Sequence, residues 1–137
     1  MFTIYTDKIK TAGQQRGPFV LIRPEYKDDR GLHEHEKVHV TQWLRVTGAV
    51  CLFFAFWYFT TENPWALAFS PLAVAAHGLA YKLIPTYRLH CELEAYAEQA
   101  DYYPDDRTEL FGKYIADDYN LDISAAHAAE LIREYRS

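Results

Sequence analysis

Two histidines and a glutamate stand close together in the N-terminal third of the chain, in the order His35-Glu36-Lys37-Val38-His39. On a helix, residues four positions apart lie one above the other, so both imidazoles can reach one ion. The H-E-x-x-H pattern is typical of catalytic zinc sites, where the glutamate acts as general base on a metal-activated water. The pattern predicts that His35 and His39 bind Zn²⁺ and that Glu36 is the catalytic base.

A catalytic zinc ion needs a third protein ligand and keeps a fourth position open for water. No further histidine follows soon after His39, so the third ligand must come from a more distant segment. A predicted second helix carries the carboxylates Glu92 and Glu94 at a suitable separation in the sequence. These residues project about 200° apart around a helix, so only one of them can face the metal.

The two motifs together resemble those of the gluzincin metallopeptidases, which include the integral-membrane HtpX-like proteases. The similarity consists of HEKVH followed, after a hydrophobic interval, by a helix with the pattern E-x-x-A-x. It implies Glu92 as the third zinc ligand, with Glu94 as the alternative. The family has an aspartate four positions later that orients a histidine ligand. This chain has Tyr96 there, and a phenol is expected to support the ligands more weakly than a carboxylate.

The chain is also similar to a group of small bacterial and phage proteins. The shared features are HExVHVxQW at residues 35–43, YRLxxExEAYxxQ at residues 87–99 and DYNLDIS at residues 118–124. This similarity covers most of the chain and implies a metallopeptidase that acts on a peptide or protein substrate. It names no particular substrate.

Several other reactive side chains accompany the motifs. His90 and Tyr96 are candidates for stabilising an oxyanion near the metal, although any helix beside such a site carries groups of this kind. His33 precedes the ligand helix and is interpreted as a bystander. The two cysteines, Cys51 and Cys91, are too few for a disulfide scaffold and are expected to be free thiols that serve packing.

The composition excludes two broad classes of protein. Half of the 137 residues are hydrophobic and 16% are aromatic, which excludes an intrinsically disordered chain. The net charge is −5, and the arginines and lysines are scattered rather than clustered. We therefore expect no nucleic acid partner, because no basic surface could follow a phosphate backbone.

The predicted fold is α+β and mostly helical, with a single zincin-like domain over residues 1–137. Apolar runs at residues 2–9 and 19–23, separated by a turn, predict a short N-terminal β-hairpin. A helical body follows, and an apolar helical hairpin at residues 48–84 is inserted into it. The predicted helices cover residues 32–47, 87–103 and 107–119, and Ser124 is expected to cap a final helix.

The apolar hairpin at residues 48–84 has two interpretations. Helices that are apolar all round are either membrane spans or fully enclosed core elements. The placement of Arg45, Lys82 and Arg88 at its open ends and Glu62 at its tip favours insertion into the bacterial inner membrane, with the zinc site facing the cytoplasm. The alternative is a cytoplasmic protein in which the hairpin forms the core or the interface of a homo-oligomer.

Three functions are compatible with these motifs. The leading hypothesis is a zinc-dependent peptidase. The second is a zinc-stabilised binding or membrane-associated module without catalysis, which the replacement of the family's aspartate by Tyr96 suggests. The third is a helical interaction protein without a metal, in which the H-E-x-x-H pattern is accidental.

Overall fold

The computed structural model of the chain describes all residues from 1 to 137. It has three short strands: β1 (Phe2–Tyr5), β2 (Gly13–Arg16) and β3 (Phe19–Ile22). Six α-helices follow: α1 (Arg30–Thr61), α2 (Trp65–Phe69), α3 (Ala73–Leu83), α4 (Pro85–Ala100), α5 (Thr108–Asp118) and α6 (Ala125–Arg136). The expected α+β, mostly helical fold is therefore confirmed.

The three strands form one sheet in the order β1-β3-β2. The β-hairpin consists of β2 and β3, which are antiparallel, whereas β1 pairs with β3 in parallel. The expectation that residues 2–9 and 19–23 form the two arms of the hairpin is therefore wrong. The segment that was predicted as the turn contains the polar strand β2. The turn that joins β2 to β3 consists only of Gly17 and Pro18, and Gly17 has a positive φ of 60°.

One face of the sheet packs on the first half of α1. Val20 and Ile22 of β3 are completely buried and form a small core with Val40 of α1. Asp29 caps the start of this helix, because its carboxylate accepts a hydrogen bond from the Leu32 amide at 3.0 Å. The sheet is thereby held alongside the segment that carries the histidines.

Helix α1 does not end near Thr47, as the sequence predicted, but continues to Thr61. No residue between Gly48 and Thr61 is charged, and none is a proline, so nothing in this stretch stops the helix. It ends where Glu62 adopts the left-handed conformation, with φ 52°. The histidine pair and the first arm of the apolar hairpin therefore belong to one rigid element.

The second arm of the hairpin is interrupted. Between α2 and α3, Pro71 lies in a single 3-10 turn, Ser70–Leu72, because proline cannot donate the backbone hydrogen bond of an α-helix. By length and composition alone, the segments Arg30–Thr61 and Trp65–Leu83 are each long and apolar enough to cross a membrane.

The main hydrophobic core lies between α4, α5 and α6. Leu93 of α4 packs with Phe111, Ile115 and Ile132 of the last two helices. Gly112 allows α5 and α6 to approach closely, since a Cβ there would overlap the Ala125 carbonyl oxygen. This core fixes α4, and with it the carboxylates that face α1. The predicted helices of this half are confirmed, as is the Ser124 cap.

Candidate metal centre

Three side chains from two helices converge at one buried point. His35 and His39 lie on adjacent turns of α1, and Glu92 projects toward them from α4. All three are buried, and their ligand atoms lie within 4.8 Å of one another. The group could hold a metal ion, as the sequence predicted for these residues.

The distances between the ligand atoms match the geometry of a small tetrahedral ion. The two Nε2 atoms are 3.1 Å apart, and the Glu92 oxygens lie 3.7 Å from His35 Nε2 and 3.4 Å from His39 Nε2. With metal–ligand bonds of about 2.0–2.1 Å, the edge of a tetrahedron is about 3.3 Å. The two imidazoles are therefore spaced for one ion, whereas the carboxylate must move to bind through a single oxygen, because Oε2 is the atom near His35 and Oε1 is the atom near His39.

The charges around this point also call for a cation. Glu92 is 1% exposed, and its Oε2 makes no hydrogen bond. Burial opposes ionisation of Glu92, but His39 and other nearby groups outweigh this effect and lower the pKa of the carboxyl. A buried, ionised carboxylate oxygen without a partner is costly unless a positive charge lies beside it.

The two histidines have opposite pKa shifts. Burial lowers the pKa of His35 to about 3, and the charge of His39 adds to this effect. Burial also opposes the charge of His39, but the charge and hydrogen bond of Glu92 outweigh it and raise the pKa of His39 to about 9. At neutral pH, without a metal, the proton of His39 therefore lies among the three ligands and compensates the charge of Glu92.

Glu36 lies beside the ligands and is itself almost fully enclosed. Burial raises the pKa of its carboxyl to about 7; the neighbouring His39 opposes this shift, and Glu92 adds to it. Its Oε2 has no hydrogen-bond partner. Strand β2 closes over the carboxylate, because a Cβ on Gly13 would lie 2.5 Å from Glu36 Oε1. An unpaired carboxyl group with a pKa near neutrality suits proton transfer.

Gln42, one turn beyond His39, was not identified from the sequence as part of the site. Its Oε1 lies 2.9 Å from His39 Nδ1, and its amide donates to the Cys91 carbonyl oxygen at 3.0 Å and to Glu94 at 2.9 Å. Since an amide oxygen can only accept, His39 donates from Nδ1 and leaves Nε2 directed at the site. The position of Gln42 in the HExVHVxQW pattern was the available signal.

Helix α3 contributes groups that were also missed. The Tyr81 hydroxyl donates to Glu92 Oε1, and Tyr81 and His77 both face the site from the second arm of the hairpin. The Nδ1 atom of His77 lies 2.8 Å from the Tyr87 hydroxyl. No motif identifies these residues, because α3 belongs to a segment that is apolar almost throughout and that predicts only a hydrophobic helix.

The structure also positions the three residues that the sequence suggested beside the ligands. Glu94 is not a ligand but hydrogen-bonds to Gln42 and forms an ion pair with Arg45 at 2.9 Å. His90 is exposed and contacts Tyr135, so it lies away from the site and cannot stabilise an oxyanion there. Tyr96 packs its ring against His35, with ring centres 4.5 Å apart.

The phenol of Tyr96 makes no hydrogen bond to His35. Its hydroxyl lies 3.1 Å from the Tyr119 hydroxyl, and His35 Nδ1 has no hydrogen-bond partner within 3.5 Å. Gln99 is close enough to favour the charged form of His35 but makes no hydrogen bond of normal geometry to it. His35 is therefore oriented by packing, whereas His39 is oriented by Gln42.

The site opens into a cleft of about 350 Å³ between the sheet and the hairpin. Its lining comes from four parts of the chain: β2 and the loop before it, α1, α3 and α4, together with one residue from the end of α5. The residues are Thr11, Gly13, Gln14, Gln15, His35, Glu36, His39, His77, Gly78, Tyr81, Glu92 and Tyr119. Most of them are polar, so the cleft can hold polar groups of a bound molecule close to Glu36.

Comparison of the chain with models of protein families finds no match. Comparison with curated proteins and with solved structures finds none either.

Proposed function

We propose that the protein is a zinc-dependent peptidase of the gluzincin type. The observation that carries this proposal is the convergence of His35, His39 and Glu92 on one buried point, with the unpaired carboxyl of Glu36 beside it. Two imidazoles and one carboxylate are a ligand set typical of catalytic zinc, and three protein ligands leave one position free.

His35, His39 and Glu92 would hold the ion, which when bound supplies a Lewis acid that polarises a carbonyl group and lowers the pKa of water. Glu36 then accepts a proton from the attacking water at its unpaired oxygen and returns it to the amine that leaves. Its pKa of about 7 favours both directions of this transfer at neutral pH. Tyr81 and Gln42 keep Glu92 and His39 in position through the hydrogen bonds described above.

Strand β2 is the proposed binding edge for the substrate backbone. It lies at one edge of the sheet, so one side of its backbone has no strand partner. Gly13, Gln14 and Gln15 of this strand line the cleft next to Glu36. An extended peptide that pairs with β2 would therefore pass the catalytic carboxylate, as in other cases of strand addition.

We further propose that the apolar hairpin at residues 48–84 enters a lipid bilayer with the part that lies beyond the cleft. From Gly48 to Leu83 the only charged residues are Glu62 and Lys82, and many large side chains of both arms are exposed. Trp65–Leu83 is long and apolar enough to cross a membrane by length and composition, but His77 and Tyr81 in its second half line the cleft, so only the part of the hairpin beyond Val74 would lie in lipid. Arg45 and Lys82 at the open ends and Glu62 at the tip favour an orientation with the cleft on the cytoplasmic side. The alternative is a cytoplasmic homo-oligomer that buries the same surface.

A second candidate function is a zinc-stabilised module without catalysis. The observation that favours it is the unpartnered Nδ1 of His35, because the ligand lacks the hydrogen bond that usually raises its basicity. A weaker ligand is compatible with a structural ion. In this case zinc raises the stability of the fold, and Glu36 has no effect on any reaction.

Incubation of the zinc-loaded protein with a peptide library, followed by mass spectrometry of the products, separates the two functions. The matched control is Glu36→Gln, which keeps the shape of the side chain and the three ligands. The peptidase proposal predicts cleavage by the natural sequence only. No cleavage by a protein that demonstrably holds zinc, or equal cleavage by Glu36→Gln, contradicts it.

A further inference from the structure

The turn between β2 and β3 and the start of β1 form an exposed apolar tip. This sheet tip consists of Met1, Phe2, Pro18 and Phe19. Phe2 is 64% exposed and Phe19 is 44% exposed, and their rings lie 5.7 Å apart. Exposed aromatic side chains that cluster in this way are uncommon on a surface that only contacts water.

The sheet tip lies level with the base of the apolar hairpin. A Cβ on Gly17 would lie 3.7 Å from the Trp43 ring. The Trp43 indole in turn donates to the Val74 carbonyl oxygen at 3.0 Å, which ties α1 to the start of α3. Leu44 and Val74, directly beyond this point, are 56% and 58% exposed. The apolar surface of the hairpin therefore begins where the sheet tip ends.

The opposite end of the sheet is turned away from the hairpin. The Tyr5 ring, at the other end of β1, contacts His33. His33 precedes Trp43 by ten positions on α1, which corresponds to about 15 Å along a helix. The loop that follows β1 carries the exposed Lys8 and Lys10. The end of the sheet away from the hairpin thus carries charged residues beside the exposed Tyr5, whereas the sheet tip is formed by apolar side chains.

We propose that the sheet tip is a second bilayer contact, seated in the headgroup region of the leaflet that the hairpin enters. This inference rests on the membrane insertion proposed above. Two observations favour a lipid surface over other occupants. The tip is continuous with the exposed surface of the hairpin, and Arg16, which pairs with Phe19 across the sheet, is exposed and forms no ion pair.

Aromatic rings and arginines at the boundary between hydrocarbon and water are typical of membrane interfaces. Trp43 lies at the same level and fits the same pattern. With the hairpin and the sheet tip both in contact with lipid, the cleft between them has a fixed orientation relative to the bilayer. The sheet tip therefore acts as a positioning element for the open side of the site.

The test measures the depth of single probes in the full-length protein. Cys51→Ala removes the exposed thiol, and the buried Cys91 stays in place. Into this background, Phe2→Cys or Phe19→Cys is introduced and labelled with an environment-sensitive fluorophore. Lys8→Cys is the matched control on the same sheet, and Phe53→Cys reports on the hairpin.

The labelled proteins are reconstituted in nanodiscs of phosphatidylcholine and phosphatidylglycerol, with and without lipids that carry a nitroxide near the headgroup or deep in the chain. We expect the shallow nitroxide to reduce the emission of probes at positions 2 and 19, and the deep nitroxide to reduce that of the probe at Phe53. The emission of the Lys8 probe should stay unchanged. Two probe positions guard against a local loss of structure at either one.

Three results would overturn the inference. Quenching at Phe53 with none at Phe2 or Phe19 means that the hairpin is inserted but the sheet tip is in water. Quenching at no position means that neither segment meets lipid, which leaves the proposed metal site unaffected. In the third result, neither nitroxide quenches the probes at positions 2 and 19, and a water-soluble quencher does not reach them either. A second copy or another protein then covers the sheet tip.

Discussion

Gln42→Ala is expected to weaken zinc binding without removing a ligand. The substitution deletes the acceptor that lies 2.9 Å from His39 Nδ1 and leaves this nitrogen facing a small apolar side chain. The imidazole then has no partner that selects the tautomer with a free Nε2 or fixes the plane of the ring. Binding must therefore order His39 as well as desolvate the ion.

The loss of a hydrogen bond behind a metal-ligating histidine typically lowers metal affinity by about 10- to 100-fold, or about 1.4 to 2.7 kcal/mol. The upper end is expected here. Gln42 is buried, and its amide also holds the Cys91 carbonyl oxygen and Glu94. Competition of the protein with a chromophoric zinc chelator at pH 7.5 measures this change directly, and chemical denaturation of the metal-free protein measures the accompanying loss of stability.

The control for Gln42→Ala is Thr41→Ala at the adjacent position. Thr41 is exposed, and its hydroxyl bonds only to the Lys37 carbonyl oxygen on its own helix. This variant should bind zinc as the natural sequence does. If Gln42→Ala also binds zinc with unchanged affinity while the protein remains folded, then Gln42 does not orient His39 and the description of the site is incorrect.

Three further predictions concern the same cleft. Glu36→Gln should keep the zinc and lower peptide cleavage by about 10²- to 10⁴-fold, measured as initial rates; a smaller loss would mean that another group transfers the proton. Gly13→Ala should lower the free energy of unfolding, measured in urea, by about 1–3 kcal/mol, because the new Cβ would overlap the Glu36 carboxylate. The control is Gly48→Ala, which should not lower it, because a Cβ at Gly48 would have no atom within 4 Å. The apparent zinc affinity should rise about ten-fold per pH unit from about pH 7 to pH 9, because His39 must lose its proton to bind and its pKa is raised to about 9. Competition with a chelator measures this change. A zinc affinity that does not depend on pH would contradict the raised pKa of His39.

The same raised pKa has a consequence for the metal-free fold. A histidine whose pKa is higher in the folded state contributes stability that is fully present below its unfolded pKa of about 6.5. This contribution is lost as the pH rises through about 9. The burial of His35 acts in the opposite direction, because its imidazole stays neutral where the unfolded chain takes up a proton.

The sequence predicted the three residues that converge in the structure, but only the two histidines follow from a local rule. The spacing of His35 and His39 places them on one helix face whatever surrounds the helix. The choice of Glu92 over Glu94 needed the resemblance to a family, since the periodicity shows only that one of the two is excluded. The structure directs Glu94 toward Gln42 and Arg45, on the other side of α4.

The residues that were missed depend on contacts between distant segments. Tyr81 reaches Glu92 because α3 folds back along α1, and the antiparallel arrangement of the hairpin is not encoded in any motif. His90 was wrongly expected near the site because it directly precedes Cys91 and Glu92. These two residues face the interior, whereas His90 itself faces solvent. Proximity in sequence to a ligand is therefore a poor guide to proximity in space.

The errors in the fold have related causes. Strand β2 has the sequence GQQR, which lacks the alternation of apolar and polar residues that marks a strand, because one of its faces lines a polar cleft. The end of α1 was misplaced because a change in composition near Gly48 was interpreted as a boundary. A helix can pass from a polar to an apolar segment without a break, and α1 does so between the two histidines and the hairpin.

The central claim is that His35, His39 and Glu92 together hold one zinc ion. The most direct test is the zinc content of the gently purified protein, measured by elemental analysis beside Glu92→Gln and the control Glu98→Gln, whose side chain is exposed on the same helix. We predict one zinc ion per chain in the natural sequence and in Glu98→Gln, and almost none in Glu92→Gln. A natural protein that contains no zinc and cannot be reloaded, or a Glu92→Gln variant that retains the ion, would contradict the proposed site.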